Sequence, residues 1–198
     1  MSIVKALVSK GNKKLPKKTW IFNSGAATDC PSRKLGLCQA GSLCYAMKAE
    51  KMYPKVLPYR RKQFQITQTV DPKAFALHLL AESKRSTKNP MRAFRFNESG
   101  DFVNQAQLDW FTAVCRVLKS KRVSCYGYTA RTDLDLSRLL KVATVQVSND
   151  LHGWIEQGAN RFKMVDEPSP LHLECAGDCR ICKLCQTQKG KIIQVEQH

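Results

Sequence analysis

The chain has 198 residues and is 43% hydrophobic, enough for one domain with a buried core, and no run of eighteen apolar residues is present to span a bilayer. Lysine and arginine number 33 against 16 aspartates and glutamates, a formal net charge of +17 that disfavours basic partners and favours a polyanion, DNA or RNA first. Nine cysteines leave one thiol over in any scheme of paired bridges, which argues against a secreted disulfide framework.

Residues 1–18, MSIVKALVSKGNKKLPKK, read as a basic, mobile lead. The lysine at position 5 and the short apolar piece do not make a signal-peptide core, so a cytoplasmic protein with reduced, metal-available cysteines is expected. Residues 19–170 read as an α/β core. TWIFNSG is a short buried strand entering a glycine turn, and the first cysteine loop follows it. CYAMKAEKMY has helical composition, limited by Pro54 and Pro58, and a second helix is expected from Tyr59 to Val70. Asp71-Pro72 makes a helix start, with Asp as cap and Pro in the first turn, and Asn89-Pro90 ends that helix. RAFRFNESG is a strand before a turn. In NQAQLDWFTAVCRVLKS, Leu108, Phe111, Cys115 and Leu118 share one helical face. RVSCYGYTAR, TVQVSND and RFKMVDE read as further strands, with a short helix at LDLSRLLKVA and a helical turn at GWIEQGA. Residues 171–198 form a cysteine-rich segment that ends in a last strand, KIIQVEQ. Cys115, Cys125 and the tryptophans Trp20, Trp110 and Trp154 read as core.

Alternating strands and helices imply parallel βαβ units with right-handed crossovers. A closed eight-unit barrel takes about 250 residues. The fold expected is therefore a partial (β/α) barrel or an open parallel sheet. In such sheets ligands bind where the loops leave the carboxyl ends of the strands. Here those ends carry Asn23, Ser24 and Gly25, then Asn97, Glu98, Ser99, Gly100 and Asp101, then Tyr128, Thr129, Arg131 and Asp133, then Ser148, Asn149 and Asp150. Capping accounts for many of these singly, but Glu98 and Arg131 are not capping residues. Both cysteine loops follow expected strands and should reach the same rim.

Cys175, Cys179, Cys182 and Cys185 are spaced Cys-x3-Cys-x2-Cys-x2-Cys, and Cys30, Cys38 and Cys44 form a second set. Thiols this crowded suit a shared inorganic centre, because neighbouring loop thiolates can wrap one ion or cluster. The Cys-x2-Cys-x2-Cys run matches three corners of a [4Fe–4S] cluster, and the fourth can come from Cys175 or the N-terminal loop. Three thiols alone leave an open iron. Two clusters, one shared cluster, or one cluster plus zinc all satisfy the spacing, with His172 as an alternative zinc ligand. Lys13, Lys14, Lys17 and Lys18 are the candidate nucleic-acid contacts.

The stretches NSGAATDCPS, LCYAMKAE and FRFNESGDF, with the terminal CxxCxxC, resemble the bacteriophage gene product 88 family from about Trp20 to Cys185. That resemblance implies a protein of the infected host cell. More distantly, the strand, the three-cysteine loop ending in Cys-Tyr-Ala and the second strand with its Gly/Glu turn are similar to radical S-adenosylmethionine enzymes. This implies a radical-SAM-like sheet, a cluster on Cys30, Cys38 and Cys44, and S-adenosylmethionine held by Asn97 to Asp101, with Arg131 and Asn149 beside them. The spacing here, Cys-x7-Cys-x5-Cys, differs from that family's Cys-x3-Cys-x2-Cys. Two functions follow from these features: an iron–sulfur redox protein or enzyme, or a basic nucleic-acid-binding protein with structural zinc or iron–sulfur sites.

Overall fold

The computed structural model describes residues 7–38 and 40–196, Ser42 by its backbone alone. Residues 1–6 of the lead and 197–198 of the C-terminal segment lie outside the described residues. Among those described, eight strands form one open sheet: β1 Ser9–Lys10, β2 Thr19–Phe22, β3 Ala93–Phe96, β4 Ser124–Thr129, β5 Thr144–Val147, β6 Asn160–Val165, β7 Leu173–Glu174 and β8 Ile192–Glu196. Their spatial order is β1-β2-β3-β4-β5-β6-β8-β7. Every neighbour pair is parallel except β1 with β2. The helices are α1 Pro31–Lys34, α2 Tyr45–Met52, α3 Val56–Thr69, α4 Pro72–Arg85, α5 Gln105–Ser120, α6 Ser137–Leu140 and α7 Leu184–Thr187. No helix among the described residues is long and apolar enough to cross a membrane.

Strands β2 to β6 are neighbours in sequence order, so the sheet always grows in one direction. Right-handed crossovers then bring the connecting helices to one face. Strand alternation supplies that face with Trp20, Phe22, Phe94, Phe96, Val145 and Val147, which join Phe75 and Leu79 of α4 and Leu108, Phe111 and Leu118 of α5 in one buried cluster. Phe22 meets Phe75 at 4.7 Å and Phe75 meets Trp110 at 5.0 Å between ring centres. Cys115, Cys125 and all three tryptophans are buried there, as their sequence context implies.

The capping chemistry is local and direct. Asp71 accepts from Ala74 N at 2.8 Å with Pro72 opening α4, and Asn104 accepts from Gln107 N at 3.0 Å at the head of α5. Three segments depart from expectation. Helix α3 begins at Val56, not Tyr59, because Pro58 lies in its first turn, where no helical partner exists for an N–H. The lead is partly ordered: β1 adds antiparallel to β2, Leu7 and Leu15 are buried, and Gln63 Nε2 donates to Leu7 O at 2.7 Å. Strand β7 was too short to leave a periodic signal.

A candidate thiol-lined metal site on the open sheet face

The sheet face turned away from α4 and α5 carries a different chemistry. Alternation in AFRF and SCYGYT places Arg95, Tyr126 and Tyr128 on it. The C-terminal segment lies across this face and is fastened by hydrogen bonds. Gln146 Nε2 donates to Cys185 O at 2.9 Å, Thr144 Oγ1 to Gln186 O at 3.1 Å, and Asn160 Nδ2 to Gln188 O at 2.7 Å. Cys175 N donates to Gln194 O of β8 at 2.8 Å. Between segment and sheet is a small cleft lined by Arg95, Tyr126, Tyr128, Lys183 and all four of Cys175, Cys179, Cys182 and Cys185.

The cleft wall is cationic and under-bonded. The Arg95 side chain is 13% exposed, and the Glu98 carboxylate stands 4.0 Å away. Arg95 Nε and the Tyr126 hydroxyl are buried without a hydrogen-bond partner in the described structure, which is costly unless a guest supplies acceptors. The guanidinium carbon lies 5.1 Å from the Tyr128 ring centre, and the Tyr128 hydroxyl donates to Cys185 Sγ at 3.0 Å. Burial pushes the Cys185 thiol up to about 11, opposed by the Tyr128 hydrogen bond, and burial also raises Cys179. Both thiols are therefore protonated at neutral pH, and a metal held there would have to displace those protons.

No group of three or more His, Cys, Asp or Glu among the described residues stands in a metal-ligating arrangement. The donor set nonetheless fits a thiolate-held centre: four thiols on one segment face one cleft, and the orphaned cationic and hydroxyl donors opposite them suit an anionic guest. His172 sits instead against Gln194, 3.3 Å from Nδ1 to Oε1.

Cys30, Cys38 and Cys44 are not among the described residues lining that cleft. They lie in the connection after β2, Cys30 immediately before α1 and Cys44 immediately before α2. Among the described residues the cleft thus takes its thiols from the C-terminal loop. Strand β7 pairs outside β8 at the sheet edge, so the chain leaving it must recross the face before entering β8. Burial, with the nearby Asp101 charge, pushes Cys30 up to about 11.

The polar residues at the strand ends do converge. Asp101 joins three connections: Ser32 Oγ donates to Oδ2 at 2.6 Å, Ala130 N to Oδ2 at 2.7 Å, Thr129 Oγ1 to Oδ1 at 2.7 Å, and Asn97 Nδ2 to Oδ1 at 3.2 Å. Burial pushes its carboxyl above the usual range, and these donors oppose that shift. Asn149 Nδ2 donates to Leu37 O at 3.0 Å and Ala130 O at 2.9 Å, while Thr132 Oγ1 donates to its Oδ1. Arg131 binds Asp133 through two contacts of 2.8 Å and donates to Phe102 O at 2.6 Å and Val103 O at 3.0 Å. Ser99 N donates to Asn23 Oδ1 at 2.9 Å, and Glu98 accepts from Asn12 Nδ2 at 2.6 Å. Gly100, at φ 68°, approaches so closely that a Cβ would stand 2.6 Å from Gly25 O. Lys13, Lys14, Lys17 and Lys18 are all exposed on the β1–β2 connection.

Sequence reasoning missed Arg95 and Tyr126 and read Tyr128 only as a strand-end residue, although the alternation of all three on two neighbouring strands was a usable signal. It also missed Glu50. This buried carboxylate accepts from Ala27 N at 2.7 Å, Thr28 N at 2.9 Å and Thr28 Oγ1 at 2.7 Å, and pairs with Arg60 at 2.8 Å. It lies on α2, and its partners are remote in sequence.

A family model described as gene product 88 matches residues 5–152, and the chain belongs to that family. The match ends before the four-cysteine segment. No curated protein and no solved structure shows a significant match to the chain.

Proposed function

We propose, for this member of the gene product 88 family, that it is an iron–sulfur protein whose Cys175, Cys179, Cys182 and Cys185 hold one [4Fe–4S] cluster against the open sheet face. The observation that carries this reading is the gathering of all four thiols on a cleft whose wall holds a buried guanidinium with an unpartnered nitrogen. When bound, a cluster there supplies one-electron transfer. Arg95 offsets negative charge, Tyr128 fixes Cys185 by its hydrogen bond, and Gln146 and Thr144 pin the backbone that carries the last thiol. Zinc on the same four thiols is the competing occupant, and inorganic sulfide separates the two.

The rim trio Cys30, Cys38 and Cys44 suits S-adenosylmethionine chemistry less well, since Asp101, Arg131 and Asn149 already spend polar atoms on neighbouring loop residues: Asp101 on Thr129 and Ala130, Arg131 on Phe102 and Asp133, Asn149 on Leu37 and Ala130. A bacteriophage origin, implied by the family resemblance, would place the protein in an infected host cell. A second reading, nucleic-acid binding, is favoured by one observation: Lys13, Lys14, Lys17 and Lys18 are all exposed on the one β1–β2 connection.

Purification without oxygen of the wild type and of two triple variants tests the cluster assignment. Replacing Cys179, Cys182 and Cys185 with Ser should abolish iron and sulfide, whereas replacing Cys30, Cys38 and Cys44 should leave the content of the cleft intact. Iron that follows the N-terminal trio alone would overturn the assignment.

A further inference from the structure

Tyr128 is the residue through which the sheet reaches the thiols. Its hydroxyl donates to Cys185 Sγ at 3.0 Å, its ring lies 5.1 Å from the Arg95 guanidinium carbon, and Phe162 packs edge-on against it with ring centres 5.4 Å apart. Two different groups thus pack against the ring whose hydroxyl meets this sulfur. Arg95 brings positive charge to the same cleft, with Glu98 only a distant partner at 4.0 Å. A hydrogen bond to a ligating sulfur and a nearby buried cation both favour the more negative state of a thiolate-held centre. We propose that Arg95 and Tyr128 are positioning residues that raise the reduction potential of the centre in this cleft, so that the protein takes an electron from a donor of only moderately low potential. This rests on the cluster assignment above. One electron enters from an external one-electron reductant, no bond forms or breaks, and the added negative charge is compensated by the Arg95 guanidinium and the Tyr128 dipole.

The same arrangement accounts for the orphaned Arg95 Nε. A buried cation that lacks a full complement of acceptors costs stability unless a negative guest answers it. Its Tyr128 and Glu98 contacts leave that nitrogen unanswered, and an anionic centre in the cleft would answer it.

The test is an optical redox titration, with dithionite as reductant, of oxygen-free protein carrying Tyr128→Phe, Arg95→Gln, Arg95→Lys or, as control, Lys17→Gln. Tyr128→Phe keeps the ring and its packing, so it should load iron fully and show a midpoint shifted to more negative potential. Arg95→Gln should shift the midpoint the same way or lose iron, while Arg95→Lys, which keeps the charge, should retain iron and stay nearer the wild type. Lys17→Gln should not move it. Iron-loaded Tyr128→Phe and Arg95→Gln with wild-type midpoints would overturn the tuning role and leave the cluster assignment standing. Equal loss of iron from Arg95→Gln and Arg95→Lys would overturn the charge argument for Arg95. A wild type without iron and sulfide would sink the assignment itself, and the tuning role with it.

Discussion

Two buried carboxylates hold the loops above the sheet, and they do so with opposite electrostatics. Asp101 is surrounded by neutral donors, whereas Glu50 has a cation, Arg60, at 2.8 Å. For Glu50, burial works against ionisation, but Arg60, the Ala27 and Thr28 amides and the Thr28 hydroxyl together hold the carboxyl below its ordinary range. A carboxyl lowered by folding contributes stability that is complete above its unfolded pKa, about 4.3, and is lost as pH falls through the lower folded value. The thermal midpoint should therefore drop across that acid window, and Glu50→Gln should flatten that part of the profile. Glu50→Ala leaves Arg60 buried and unpaired, a loss of roughly 3–5 kcal/mol that urea unfolding at neutral pH would read. An unchanged acid limb in Glu50→Gln would show that another group governs acid unfolding.

Between the strands and their connections, glycines mark where backbones touch. In β4, Gly127 lies beside Phe96 of β3, whose ring crosses it, and a Cβ there would stand 2.1 Å from the ring. Gly100 faces backbone, with Gly25 O at 2.6 Å, and its φ of 68° already disfavours a side chain by about 1–2 kcal/mol. Since Gly25 O cannot swing aside as a side chain can, Gly100→Ala should cost more than that figure in denaturant unfolding; a neutral substitution would mean the two connections separate freely. Most of these elements were legible because their signals are local. Asp71-Pro72 and Asn104 announce α4 and α5, and the apolar stretches around Phe94, Cys125 and Val145 announce strands. What was not legible is non-local. The two residues of β7 have no period, and the route of the chain after them depends on β8 lying inside β7 in the sheet, so the spacing of Cys175 to Cys185 singled out the thiols but not the face they meet. The convergence of Asp101, Thr129, Arg131 and Asn149 was foreseen from their places at strand ends. The neighbours each one bonds to were not, because that needs distances.

Over the full chain the charge of +17 appears in two places of note. Arg95 and Lys183 line the cleft beside the four thiols, and Lys13, Lys14, Lys17 and Lys18 are exposed on the β1–β2 connection. If those lysines hold nucleic acid, affinity should fall steeply with salt, and replacing Lys13, Lys14, Lys17 and Lys18 with Ala should flatten the dependence by about 0.7–0.9 log units per lost phosphate contact, with metal content unchanged. A salt slope untouched by the four substitutions would move the interface elsewhere. An iron–sulfur cluster on the four C-terminal sulfurs is the central proposal. Its most direct test is elemental and sulfide analysis of wild-type protein kept free of oxygen: about four irons and four sulfides per chain, as a [4Fe–4S] centre requires, are expected, and one zinc per chain without sulfide, or no metal at all, would contradict it.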